Sequence, residues 1–205
     1  MWLQDFNNIH WSPTEFSWDN KQAGAAVLLA QLTADHRYIH QTADFCQRMT
    51  DTIPRTPAGL VFIQPWGSLR HASNVAFICM QAATGIKHPA IESAKLADFA
   101  RQQIHYALGD TGRSYVVGYG VNPPTQPHHR SSSCPVDIDV PCGWNNYYAV
   151  GPNPSILWGA LVGGPNRADE FTDKRDNHVT NEVALDYNAG FQSAVAGLKY
   201  LSMQC

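Results

Sequence analysis

Residues 69–83 carry the pattern that most restricts the fold. Leu69, Ala72, Ala76, Cys79 and Ala83 recur at helical spacing, while Val75, Ile78 and Ala82 cover a second face. A helix that is apolar on two faces has to be wrapped by other elements. Its neighbours in sequence are also helical. Residues 21–32 read as a helix with Asp19 as its cap, and residues 36–50 as a second, with Ile39, Ala43, Cys46 and Met49 on one stripe. A longer amphipathic helix spans 90–108, with Ala97, Ala100, Ile104 and Leu108 inward. The last, 183–201, carries Tyr187, Phe191, Ala194, Leu198 and Leu201. Thr56-Pro-Ala-Gly59 is a turn. The stretch 109–170 is instead rich in Gly, Pro, Asn and Ser, with Ser114–Val117 and Ile156–Leu157 as its candidate short strands. So much irregular chain in a compact domain usually carries function. Helices joined by long loops, without a repeat of about 20–50 residues, predict an all-α toroid and not a repeat array.

Composition excludes several roles. The 205 residues are 44% hydrophobic and 15% charged, enough for a sizeable core and too apolar for disorder. A net charge of −3 without a basic cluster gives no footprint for nucleic acid. No apolar run approaches the roughly 18 residues of a membrane helix. The five cysteines form no Cys-x-x-Cys metal pair. Cys46 and Cys79, on apolar helix faces, read as buried free thiols. Cys134 and Cys142 bracket a short loop that a disulfide would brace, with Cα atoms expected within about 7 Å. That bond points to an oxidising compartment and hence secretion, although Met1-Trp-Leu-Gln-Asp lacks the pattern of a signal peptide.

Two polar constellations can carry chemistry. Ser114–Arg130 ends in Pro127-His128-His129-Arg130, two imidazoles and a guanidinium on a Pro-flanked loop. Adjacent histidines in extended chain point apart, which makes a shared metal a poor reading. Arg130 either donates its planar fork to hydroxyls or a carboxylate, or braces the loop. The second, Phe171–Gly190, gathers Asp173, Asp176, Glu182 and Asp186 where charge is otherwise sparse. Glu182 reads as the start of the last helix with Asn181 as cap, so these charges are either helix capping and solvated surface or a site.

The two constellations resemble the His and Asp/Glu signatures of glycoside hydrolase family 9, inverting endo-β-1,4-glucanases, especially the animal type. Phe16–Gly24, Trp66-Gly-Ser-Leu-Arg70, Gly159–Pro165 and Asn181–Gly190 resemble further blocks of that family. Lys174 stands where a second Asp is frequent, and His178 where an aromatic is usual. The resemblance implies about the C-terminal half of an (α/α)6 barrel with long active-site loops. It makes Glu182 the general acid, places Asp173 and His128 in the active site, and sets Arg130 and Tyr187 beside the cleaved bond. Asp19, Trp66 and Arg70 would line neighbouring subsites, Trp66 through its ring face. The implied partner is a β-1,4-glucan such as cellulose or a cello-oligosaccharide, with no nucleic acid, no membrane and no metal or other cofactor, calcium being left open. An inverting hydrolase pairs its acid with a carboxylate about 6.5–9.5 Å away that activates water. The family draws this base from an Asp-Ala-Gly-Asp motif, and these residues have no counterpart to it. Two functions are therefore implied: an endoglucanase seen in part, or a non-catalytic glucan-binding remnant. Placing Glu182 in the first turn of a helix also sets the dipole, which favours an ionised carboxylate, against the proton that an acid must hold.

Overall fold

The structure, a computed structural model, describes residues 13–203. Cys205 and the first residues, read above for a leader, fall outside them. Among the described residues five long helices form the scaffold: α1 (Gln22–Thr33), α2 (His36–Asp51), α3 (Ser68–Gly85), α4 (Ser93–Leu108) and, after the loops, α7 (Leu185–Ser202). Between α4 and α7 lie a 3-10 turn (Arg130–Ser133) and two single-turn helices, α5 (Trp144–Tyr147) and α6 (His178–Asn181). Each long helix falls within a few residues of its predicted span, because the 3.6-residue period of its apolar positions is strong.

Helix α3 is the centre. Leu69, Ala72, Val75, Ala76, Ile78 and Met80 are buried on all its sides, and it packs most extensively on α7 and α4. Half of a toroid would leave an inner helix such as α3 open on one side. Here α3 is instead covered within the chain; exposed apolar side chains stand on the flanking helices, such as Leu28 and Leu32 on α1 and Leu185 and Tyr200 on α7, and on the loops, such as Ile138 and Val150. Helices α3 and α7 run parallel, since residues 67, 74 and 80 of one region meet 187, 190 and 197 of the other in the same order. Their closest approach is at Gly190, where a Cβ would stand 2.8 Å from the Cα and 2.9 Å from the N of Asn74. Both helices consequently begin at the same end of the molecule, where the loops gather.

Three local expectations are corrected. Asp19 does not cap α1: Asn20 Oδ1 accepts from the Gln22 N–H at 3.2 Å, while Asp19 accepts from the Ser17 hydroxyl at 2.6 Å. Cys46 and Cys79 are not free thiols but form a fully buried disulfide joining α2 to α3, with Cα atoms 5.5 Å apart. The two helices pack face to face and bring their apolar cysteines together, a tertiary fact that spacing cannot supply. The segment 114–117 pairs, but with 160–162 and not as a named strand: Val117 N donates to Ala160 O and Val162 N to Tyr115 O around an isolated Val116–Leu161 bridge. The expected Cys134–Cys142 disulfide is present, with Cα atoms 5.3 Å apart. Among the described residues no helix is long and apolar enough to cross a membrane.

Because the Cys46–Cys79 bridge closes a 33-residue separation, its loss releases substantial loop entropy to the unfolded chain. Chemical denaturation of a Cys46→Ala/Cys79→Ala chain should show a loss of about 3–4 kcal/mol. Gly190→Ala, forced against the backbone of Asn74 as well as its side chain, should cost about 1–3 kcal/mol in the same assay.

Candidate active site

The site is organised by α6. A one-turn helix leaves its carbonyls without intrahelical partners, and three loops supply donors to successive residues. Gly67 N donates to Val179 O (3.2 Å), Gly164 N to Thr180 O (2.8 Å) and His128 N to Asn181 O (2.7 Å). Glu182 follows as the residue closing α6, with extended backbone (φ −58°, ψ 143°), and forms a parallel bridge with His128. Glu182 therefore does not start the last helix, as the sequence suggested. The N-cap of α7 is Ala184, its first-turn carboxylate is Asp186, and the predicted tension with the helix dipole does not arise at Glu182. Asn181 is not a cap either. It is fully buried, and its amide donates to Thr172 O (2.6 Å) and Lys174 O (3.0 Å), tying the 172–174 loop beneath the site.

Glu182 Oε2 receives two donors, Trp66 Nε1 at 2.7 Å and the Tyr187 hydroxyl at 2.6 Å, while Oε1 accepts no hydrogen bond among the described residues. The carboxyl plane is thus fixed through one oxygen, and the other is left to exchange a proton. Gly67 makes this possible: its φ of +68° suits glycine, and a Cβ there would stand 2.9 Å from the Tyr187 hydroxyl. Burial, with the adjacent Glu182 carboxylate, pushes the Tyr187 hydroxyl well above its ordinary range, so it remains a neutral donor. The Arg70 guanidinium lies 5.0 Å over the Tyr187 ring and pairs with Asp186 at 3.3 Å.

Arg70 also donates to His71 Nε2 at 2.9 Å. A guanidinium only donates, so Nε2 accepts and the neutral ring carries its proton on Nδ1. Glu15 Oε2 is 3.2 Å from Nδ1 but without hydrogen-bond geometry. Burial and the neighbouring Arg70 charge outweigh the opposing pull of the Asp19 carboxylate and hold His71 at about 4. Asp19 lies within electrostatic reach of Arg70 and His71; the Ser17 hydroxyl keeps its exposed carboxyl below the usual range.

His128 Nδ1 donates to Arg175 O at 2.7 Å, with the Tyr147 hydroxyl 3.2 Å from the same nitrogen. This fixes the tautomer and leaves Nε2 uncommitted. Asp173 does not meet Glu182 through a hydrogen bond. Its Oδ2 accepts from Thr125 N (2.7 Å) and the Thr125 hydroxyl (2.8 Å), and its Oδ1 from Gln126 N (3.1 Å), which anchors the loop leading to His128. The Arg130 guanidinium lies 5.1 Å over the Trp144 ring. The structure thus brings Glu182, Trp66, Tyr187, Arg70 and His128 together, Asp19 beside them, with Asp173 as a brace and Arg130 on the flank. Trp66 reaches Glu182 through its indole N–H.

Sequence reasoning missed Arg175 and Tyr147. The Arg175 guanidinium is buried, donating to Asn153 Oδ1 (2.6 Å) and to the carbonyls of Tyr147 (2.8 Å), Ala149 (2.8 Å) and Gly151 (2.9 Å). A lone arginine inside the acidic segment was the signal for it; nothing in the sequence marked Tyr147. His178 stacks edge-on against Trp66 (4.9 Å) and His128 (5.9 Å). A cavity of about 130 Å³ flanks the His128 loop, lined by Pro123, Thr125, Pro127, Ile156 and Trp158 among others, but it includes neither Glu182 nor Trp66. Among the described residues no group of three or more His, Cys, Asp or Glu is arranged to hold a metal ion.

Comparison with known proteins points one way. The model of a family described as Glycosyl hydrolase family 9 matches residues 2–195. The chain is 41% identical over 192 residues to Endoglucanase B of Cellulomonas fimi, covering 89% of this chain and 17% of that protein. The structure of an endoglucanase from the termite Nasutitermes takasagoensis superposes with a TM-score of 0.90 at 46% identity, over 97% of this chain and 45% of that one. Endoglucanase CelQ from Clostridium thermocellum, solved in complex with cellotriose, superposes with a TM-score of 0.80 at 37% identity, over 90% of this chain and 31% of that one. The chain spans less than half the length of each of these relatives.

The depressed His71 value has a measurable consequence. The unfolded ring titrates near 6.5 and the folded one near 4, so the unfolded chain takes up the extra proton between them. Stability should therefore fall as the pH drops through that window, His71 contributing a loss of roughly 3 kcal/mol. Urea melts at pH 4 and pH 7 should show a correspondingly smaller difference for His71→Gln.

Proposed function

Since the chain belongs to glycosyl hydrolase family 9, we propose that it is part of the catalytic domain of an endo-β-1,4-glucanase and contributes the acid side of an inverting cleft. The observation that carries this reading is the Glu182 carboxyl held on one oxygen by Trp66 and Tyr187 with its other oxygen open. In this role Glu182 protonates the leaving glucosidic oxygen from Oε1. The two donors on Oε2 then stabilise the carboxylate left behind, an interaction that strengthens as charge develops. Trp66, half-exposed beside Glu182, borders the sugar adjoining the scissile bond, and Arg70 with Asp19 borders the next. His128 offers Nε2 to a sugar hydroxyl. Asp173 and Arg175 act by holding the loops that carry His128. Arg130 joins the substrate from its place on Trp144.

Inversion further requires a base that activates water on the opposite face of the sugar. Glu182 supplies the proton, and Asp173 is spent on Thr125 and Gln126, so these 205 residues by themselves are proposed to bind glucan without hydrolysing it. The intact-enzyme alternative, a chain that supplies its own base, is an outcome of the test below. The two disulfides support an extracellular, oxidising location, and the cello-oligosaccharide complex of CelQ supports a β-1,4-glucan as the ligand.

Titrated with cellotetraose, the purified chain should bind, and Trp66→Ala should weaken binding by about 10-fold or more through loss of its contact area beside Glu182. Reducing-sugar release from carboxymethyl cellulose should stay at background for both the chain and Glu182→Gln. Turnover that disappears in Glu182→Gln would show that a base is present within these residues and overturn the non-hydrolysing part of the proposal. Absence of cellotetraose binding would overturn the glucan reading itself.

A further inference from the structure

The rings at the site do not end at His128. Trp66, His178 and His128 continue through Tyr147 (6.1 Å from His128) to Trp144 (5.6 Å) and Tyr148 (5.0 Å from Tyr147). The last two are solvent-exposed, Trp144 at 59% and Tyr148 at 68%, and they stack on each other with planes 27° apart. Exposed aromatic rings add little to a core, yet the segment that bears them is tied down at two points. The Cys134–Cys142 bond ties its approach to the 3-10 turn carrying Arg130. The buried Arg175 guanidinium gathers the carbonyls of Tyr147, Ala149 and Gly151 from beneath. The Tyr148 hydroxyl makes no hydrogen bond among the described residues, and the Arg130 guanidinium, over Trp144, makes none either. A stacking face and a set of charged donors are therefore presented side by side, ordered and uncommitted.

We propose that Tyr148, with Trp144 and Arg130, forms a further sugar subsite on the far side of His128 from Glu182, taking one pyranose ring of a longer glucan. The inference rests on the glucan-binding reading above. A β-linked glucopyranose suits the place because its ring hydroxyls are equatorial. Its axial C–H bonds form an apolar face for Tyr148, while the hydroxyls at its rim meet the fork of Arg130. An acidic or strongly apolar ligand would use only half of this pair.

The test is titration of the 205-residue chain with cellohexaose, comparing wild type with Tyr148→Ala, Tyr148→Phe and Trp66→Ala. Tyr148 is exposed and its hydroxyl unbonded, so the alanine variant keeps the fold, which circular dichroism checks. Tyr148→Ala should weaken cellohexaose binding by roughly 3- to 10-fold, with Tyr148→Phe retaining wild-type affinity. Wild-type affinity in Tyr148→Ala alongside a loss in Trp66→Ala overturns this subsite and leaves the glucan reading standing. Equal losses in the alanine and phenylalanine variants overturn the stacking face. No binding by the wild-type chain overturns the subsite together with the reading it rests on.

Discussion

The unmet carbonyls of a single helical turn hold this molecule's working end together. Val179, Thr180 and Asn181 each present a C=O that α6 is too short to use, and each is taken by the backbone of a different loop, at Gly67, Gly164 and His128. Those loops lie far apart in sequence and are irregular, so no internal ladder fixes them. Their common acceptor does. It also places Glu182, the next residue, at the point where the three converge. Beneath it, the parallel packing of α3 and α7, close enough at Asn74 and Gly190 to exclude a methyl group, sets Trp66 and Tyr187 at one end of the bundle within reach of the same carboxylate oxygen.

The electrostatics below the carboxylate are arranged in layers. Arg70 is a half-buried cation whose charge is met by Asp186, by the face of Tyr187 and by the lone pair of a neutral His71. Each contact constrains the next. The arginine fixes the histidine tautomer, and its position over the ring helps to orient the tyrosine whose hydroxyl reaches Glu182. Arg175 shows the other way to bury a guanidinium, with amide and backbone oxygens as its acceptors. Carbonyl dipoles in that number satisfy its donors, and they convert one side chain into the anchor of a whole loop.

The helices were legible because each repeats an apolar face, and an all-α scaffold follows from a helix such as α3 that is apolar on two faces; the (α/α)6 barrel was implied by the resemblance to the family. The acid candidate and its tyrosine were legible as well, five residues apart in a long signature. What sequence could not show was decided by distant chain. Cys46 and Cys79 look alike as buried thiols or as a bridge until α2 and α3 are seen to face each other. Asn181 has the chemistry of a cap, but its amide is drawn to carbonyls of the preceding loop. At α1 the N-cap position falls to Lys21, and it is Asn20, before it, whose side chain accepts from the Gln22 N–H. The intrachain partners of Arg130 and Trp66, the ring of Trp144 for the first and Glu182 for the second, are likewise set by distant chain. Tyr147 sits in a stretch without periodicity, where side-chain direction is set wholly by tertiary contacts.

The two disulfides, finally, answer to different clocks. Cys142 is exposed, and a dissolved thiol can meet its bridge directly, at a rate that scales with reductant concentration. Cys46 and Cys79 are wholly enclosed between α2 and α3, so attack on their bridge waits for the helices to part. Once reductant is abundant, the lifetime of the inner bond equals that of the closed packing around it. The molecule thus carries a chemical timer on its surface and a conformational one at its centre.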